Sequence, residues 1–210
     1  MIGGFRGRHV ERKIRREFGC ESHLELEFEK VYARFWMPEV RGGATGSKKR
    51  YAGLVASPGG ETLELVGLEA VRRDWSAVAR RFQRELLDRL FHDAPVVDYI
   101  REQIGALRAG RLDAELAYRK AIRKPLGEYT KTTPQHVKAA RKVAGGVGRI
   151  VTYVVTTAGP EPVGRTTGPP DYEHYVTQQL RPIADAVLRF LTAPDFDTLS
   201  GARRQLSLFD

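Results

Sequence analysis

The chain has 210 residues, with 35 lysines and arginines against 26 aspartates and glutamates, for a formal net charge of +9. That excess favours a polyanionic partner such as DNA, RNA or an anionic membrane surface, and no apolar run approaches the roughly 20 residues a spanning helix needs. The single cysteine, Cys20, excludes an internal disulfide and fits a reducing cytoplasm, while the scattered histidines His9, His23, His92, His136 and His174 lack the spacing of a zinc site.

The first sixteen residues carry arginines but neither the apolar core nor the cleavage site of a signal peptide. Val10, Ile14 and Phe18 recur every four residues among Arg12, Lys13, Arg15 and Arg16, which predicts a short amphipathic helix with a basic outer face, stopped at Gly19. Leu24, Leu26 and Phe28 alternate with Glu25, Glu27 and Glu29, a half-buried strand pattern that continues through Val31, Tyr32 and Phe35 to about Pro38. Gly42-Gly43 and Gly46-Ser47 then lead into Lys48-Lys49-Arg50-Tyr51-Ala52-Gly53, a loop feeding a strand over 51–56. Ser57-Pro58-Gly59-Gly60 reads as a hairpin turn into a second strand over 63–66.

Past Asp74 the period changes to about 3.6. Val78, Phe82, Leu86 and Leu90 form a helical stripe capped by Asp74 or Ser76. Pro95 opens a second helix with Val97, Ile100, Ile104 and Leu107 inward and Gly110 beyond its end. A third helical piece is expected over 113–121, and Pro134 starts a helix reaching about Val143. The β-branched stretch 149–156 predicts a strand inserted among helices, followed by a Gly/Pro-rich loop over 159–170. Asp171 caps a helix with Tyr172, Tyr175, Val176, Leu180, Ile183, Val187 and Leu191 on one side, and Pro182, lacking an amide donor, should kink it. Residues 195–204 are polar and have little to bury. The expected class is α+β: a small antiparallel β portion, then a mainly helical portion with a short β insertion.

Three features bear on chemistry. The run Lys48, Lys49, Arg50 and Tyr51 either binds an anion or is a solvated basic turn; Lys49 and Tyr51, two apart on a strand, would project from one face. Arg72 and Asp74 could fix a turn by a charge-assisted bond, and Arg119, Lys120, Arg123, Lys124, Lys131, His136, Lys138, Arg141 and Lys142 form a basic stretch that could hold phosphates without reading sequence. Gln205, Leu206, Leu208 and Phe209 place three large apolar groups in a polar tail, which calls for a partner or for folding back on the chain. The glutamate stripe Glu25, Glu27 and Glu29 could serve a metal-dependent nuclease, but period-two alternation explains it as a solvated strand face.

Several of these segments resemble one family in the same order. Lys48-Lys49-Arg50-Tyr51-Ala52-Gly53 is similar to the primer–template-binding motif in the palm of family B DNA polymerases. Gly67-Leu68-Glu69-Ala70-Val71-Arg72-Arg73-Asp74-Trp75 resembles the passage from palm to thumb. Leu126-Gly127-Glu128-Tyr129 and Pro134-Gln135-His136-Val137-Lys138-Ala139-Ala140 resemble the middle of the thumb. Asp171-Tyr172-Glu173-His174-Tyr175 with Gln179-Leu180-Arg181-Pro182 resembles the last thumb helix, and Gln205-Leu206-Ser207-Leu208-Phe209 the pentapeptide by which bacterial polymerases bind the sliding clamp. These motifs resemble those of the bacterial polymerase II branch of that family.

The resemblance implies a C-terminal part of the palm over 1–75, a thumb over 76–193, and a flexible clamp-binding tail over 194–210. It implies that Lys49 reaches the minor groove at the primer end, that Tyr51 packs along the primer backbone, and that Lys48, Arg50, Arg72, His136, Lys138 and Arg141 contact DNA. The family's metal-binding aspartates, in an Asp-Thr-Asp-Ser-like turn and an earlier motif, have no counterpart in this sequence, nor has its exonuclease portion. The implied function is therefore the C-terminal segment of a polymerase-II-like DNA-directed DNA polymerase. Its partners would be primer–template duplex, the sliding clamp and an N-terminal polymerase chain, in a bacterial, nucleoid-associated setting. No cofactor is expected in this chain, and Mg2+ only in the complete polymerase, since two-metal phosphoryl transfer needs carboxylates to hold the ions. The alternative is a stand-alone noncatalytic module that binds duplex DNA and the clamp.

Overall fold

The computed structural model describes residues 2–21, 23, 29–39, 46–47, 49–143 and 148–201. It is an α+β fold with two antiparallel three-stranded sheets, ordered β1-β2-β3 and β4-β5-β6. Helix α1 (Ile2–Phe18) begins earlier than the periodicity at 10–18 predicts and stops where expected, at Gly19, whose φ of +65° lies in the left-handed region that favours glycine. The alternating segment 24–28 lies outside the described residues. The first sheet comprises β1 (Tyr32–Trp36), β2 (Tyr51–Ser57) and β3 (Gly60–Val66). Ser57 pairs with Gly60 around a two-residue turn, as the Pro58-Gly59 signal predicts. Only Trp36, Ala52 and Leu54 of this sheet enter the buried core.

Helix α2 (Ala77–Phe91) is capped by Ser76, whose side-chain oxygen accepts from the Ala79 N–H; of the two candidate caps, the structure chooses this one. Val78, Phe82 and Leu86 are buried as the stripe predicts. Helix α3 (Val96–Arg108) follows Pro95 and packs on α2 by stacking Tyr99 on Phe82 with ring centroids 5.6 Å apart. Residues 113–121 are not helical throughout: a 3-10 turn over Asp113–Glu115 gives way to β4 (Tyr118–Ala121). Tyr118 pairs with Tyr153 and Ala121 with Ile150 of β5 (Ile150–Thr156), so cross-strand pairing overrides the local helical pattern. The expected 159–170 loop also begins as a strand, β6 (Gly159–Pro162); its two prolines are tolerated because β6 is an edge. Helix α4 (Gln135–Arg141) packs on β5 and β6.

Helix α5 (Tyr172–Tyr175) is capped by Asp171, which accepts from the His174 N–H. The break expected at Pro182 takes the form of a π-helical turn over Val176–Leu180, before α6 (Arg181–Leu188). Residues 195–201, read from the sequence as having little to bury, form α7 (Phe196–Ser200) with Phe196 and Leu199 in the core, and Arg181 pairs with Asp197 at 2.8 Å. One buried cluster runs from Trp36 through α2, α3, the second sheet and α5–α6 to Leu199.

Candidate nucleic-acid interface

Lys48 lies outside the described residues. Lys49 is exposed in a turn before β2 rather than on the strand, so strand alternation does not fix its direction relative to Tyr51. The turn is closed by the Arg50 N–H on the Ser47 carbonyl at 3.2 Å. Gly67, at φ +63°, lies so close behind it that a Cβ would stand 2.0 Å from the Lys49 carbonyl oxygen. Arg50 bonds the carboxylate of Glu69. The Tyr51 ring lies 6.1 Å from Tyr32 and 5.4 Å from Phe35, and the Tyr32 ring covers Gly53, where a Cβ would come within 2.1 Å of it. Three aromatic rings thus cluster on the face of the first sheet opposite Trp36, with Phe35 still 49% exposed.

At the junction before α2, Arg72 grips Asp74 through two N–H donors at 3.2 and 2.9 Å. Lys120 of β4 reaches the same carboxylate at 2.9 Å, tying the junction to the second sheet. Burial pushes the Asp74 pKa up, but the bonds from Lys120 and Arg72 outweigh it and hold the group below its ordinary value. Asp74 therefore stays ionised and positions both cations.

This junction forms one wall of an open groove of about 950 Å3. Arg73, Trp75 and Arg80 line one side; Arg119, Lys120, Arg123, Tyr129, His136, Ile150 and Thr152 line the rest. Asp74 is the sole carboxylate among the lining residues, and Arg73, Arg80, Arg119 and Arg123 make no ion pair among the described residues. The Arg80 Nε is buried without a hydrogen-bond partner. Tyr129 is braced on several sides: its hydroxyl accepts from the Arg123 N–H at 3.2 Å, Lys124 sits over its ring at 4.7 Å, and His136 meets it edge-on at 6.4 Å. Burial first, and then the neighbouring Lys120, lower the His136 pKa, so His136 offers a neutral imidazole rather than a cation.

Of the residues expected to meet DNA, His136 lines this groove directly, and Arg72 acts behind it through Asp74. Lys138 is exposed on α4, outside the groove. Arg141 donates to the carbonyls of Leu126 and Tyr129 at 3.0 and 3.3 Å, holding the turn that carries Tyr129. Sequence reading passed over Arg80; its signal is a cation in the first turn of α2, two residues before buried Phe82. Arg73 stood in the matched motif without a role of its own. Gln205, Leu206, Leu208 and Phe209 lie outside the described residues, as do Glu25 and Glu27. No group of three or more His, Cys, Asp or Glu able to hold a metal occurs among the described residues. Nor is any described helix long and apolar enough to cross a membrane.

Such a groove can bind a polyanion: guanidiniums without ion pairs among the described residues meet phosphates, and the lining rings of Trp75 and Tyr129 offer a surface for sugar or base. Comparison with known proteins agrees in kind. The chain is 46% identical over 199 residues to DNA polymerase II of Escherichia coli K12, covering 90% of this chain and 25% of that protein. It is 31% identical over 220 residues to DNA polymerase 2 of Aeropyrum pernix, covering 96% of this chain and 25% of the relative. It therefore spans about a quarter of the length of these relatives. In fold it is similar to the family B DNA polymerase of the hyperthermophilic archaeon Pyrobaculum calidifontis, with a TM-score of 0.61 at 24% identity over 90% of this chain and 25% of that one. Residues 6–186 match the family described as DNA polymerase family B, and the chain belongs to that family.

Proposed function

We propose that this chain is the duplex-gripping segment of a polymerase-II-like DNA-directed DNA polymerase, and that the groove between the 72–75 junction and the second sheet holds the backbone of primer–template DNA. The observation that carries this reading is the convergence of four arginines without ion pairs among the described residues, Arg73, Arg80, Arg119 and Arg123, around Tyr129 and His136. Residues far apart in sequence form one basic wall with a single carboxylate, itself neutralised by Arg72 and Lys120. Phosphate contacts of this kind position a duplex without reading its sequence, which suits an enzyme that copies any template.

Lys49, exposed and without an ion pair among the described residues, would meet the minor groove, where the acceptors are nearly independent of sequence. Lys138 would extend the phosphate contacts along α4. The segment Gln205 to Phe209 would tether the chain to the sliding clamp through its apolar side chains and the glutamine amide. The carboxylates that hold the metal ions of nucleotide transfer would stand on a further polymerase segment, since the family's metal-binding aspartate motifs have no counterpart in this sequence. In this division of labour the present chain supplies grip and the other supplies chemistry.

The test is duplex binding by the full chain, followed by fluorescence anisotropy across a salt series. Arg73→Ala, Arg119→Ala and Arg123→Ala combined should flatten the slope of log K against log salt by ~0.9 for each phosphate no longer neutralised. Unchanged affinity and slope in the triple variant would refute the groove as the binding site.

A further inference from the structure

Arg50 sits between the exposed Lys49 and the strand β2, yet its guanidinium is turned inward onto Glu69. Glu69 is 9% exposed, and a carboxylate that deep is costly unless both oxygens are matched. Here they are: Oε1 accepts from Arg50, and Oε2 accepts from Gln83 Nε2 at 2.7 Å. Gln83, 2% exposed on α2, cannot turn its amide over, because its oxygen accepts the Ala70 N–H at 2.6 Å. A directed series of bonds therefore runs from the rigid face of α2 to the residue beside Lys49. The same turn is fixed by the Ser47 carbonyl and by the backbone of Gly67.

We propose that Arg50, Glu69 and Gln83 form a positioning relay that presets the Lys49 turn for duplex binding, Arg50 acting as a positioning residue and not as a phosphate ligand. This rests on the reading of Lys49 as a duplex contact. A phosphate that drew the Arg50 guanidinium outward would take Nη2 from the Glu69 carboxylate, and the Arg50 Nε is already buried. Holding the backbone of Lys49 in advance lowers the ordering cost of placing a long, rotamer-rich side chain on its target.

The relay predicts a sign opposite to simple electrostatics. Glu69→Gln removes a negative charge near a polyanionic ligand, so charge alone would tighten binding. In the relay the new amide nitrogen must face a donor, Arg50 or the locked Gln83, and the turn loosens. The full chain is titrated with a primer–template duplex across a salt series, with folding checked by thermal unfolding. Glu69→Gln should weaken binding by about tenfold, the worth of one bond to a charged group, at an unchanged salt slope. Arg50→Lys, which keeps the charge but not the geometry, should weaken binding likewise. If Glu69→Gln does not fold, Arg50→Lys decides alone.

The proposal is overturned if Glu69→Gln binds as tightly as the parent or tighter, if Arg50→Lys is neutral, or if Arg50→Ala flattens the slope by ~0.9, the mark of a phosphate ligand removed. Lys49→Ala separates the two readings. If it weakens binding and flattens the slope while the relay variants are silent, the relay alone fails. If it changes nothing, the duplex role of Lys49 fails first and the relay with it.

Discussion

The two sheets share one topology, a three-stranded antiparallel meander, and differ in what covers them. The first gives Trp36, Ala52 and Leu54 to the core and leaves an aromatic face of Tyr32, Phe35 and Tyr51 outward. The second buries Tyr118, Val151, Tyr153 and Val155, with α4 packed on β5 and β6 and Tyr175 of α5 against Tyr118 and Val155. There Tyr118 stacks on Tyr153 at 5.2 Å and on Tyr175 at 5.6 Å, and its hydroxyl lies 2.9 Å from His174 Nε2. Strand order alone therefore does not fix rigidity. Layers packed on a sheet do, and here they make the second sheet a firm support for the groove cations Arg119 and Lys120.

The sharpest way to break this contrast is to truncate one aromatic packed at each sheet. Tyr175→Ala removes a fully buried ring and the acceptor of the Val155 N–H, 2.8 Å away, and should cost about 3–5 kcal/mol in chemical denaturation. Equal losses from Tyr175→Ala and from a truncation on the first sheet would dissolve the distinction.

Glu161 of β6 tests the same rigidity through pH. Its side chain is 3% exposed and accepts from Thr167 Oγ1 at 2.6 Å, Thr167 N at 2.9 Å and Thr156 Oγ1 at 2.9 Å, with Lys142 at 3.6 Å. The Thr167 bonds, ahead of those from Thr156 and Gly168, hold its pKa down to about 2 from an ordinary 4.5. Because the unfolded chain binds this proton more readily, the carboxylate stabilises the fold above pH 4.5, and that contribution fades as pH falls from 4.5 towards 2. Glu161→Gln should lower the unfolding midpoint at neutral pH and flatten this acid dependence. A parent chain whose stability does not change with pH in that window would sink the assignment.

The smallest effect belongs to the open face. Phe35→Ala, at a ring 49% exposed and packed beside Tyr32 and Tyr51, should cost about 1 kcal/mol or less. A loss comparable to that of Tyr175→Ala would mean that the first sheet is held as firmly as the second.

Helices α2 and α3 were legible because Ser76, Pro95 and Gly110 punctuate a strong 3.6 period. The stretch 113–121 misled, since Tyr118 owes its strand to Tyr153, 35 positions away by register, which no local window contains. Pro160 and Pro162 argued for loop and stand in a strand, because only the tertiary arrangement shows that β6 is an edge. The expectation that 195–204 has little to bury failed at Phe196, which is buried where α7 packs on α3 and α6.

What the sequence determined by itself is the α+β class, most element positions and the abundance of cations, because these follow from local periodicity, capping residues and composition. Which cations are left to meet a ligand was decided only in three dimensions. Arg50 meets Glu69, Lys120 meets Asp74 and Arg108 meets Glu173. Each pair joins separate elements, so a charge that looks free along the chain becomes paired or exposed according to what the fold brings beside it.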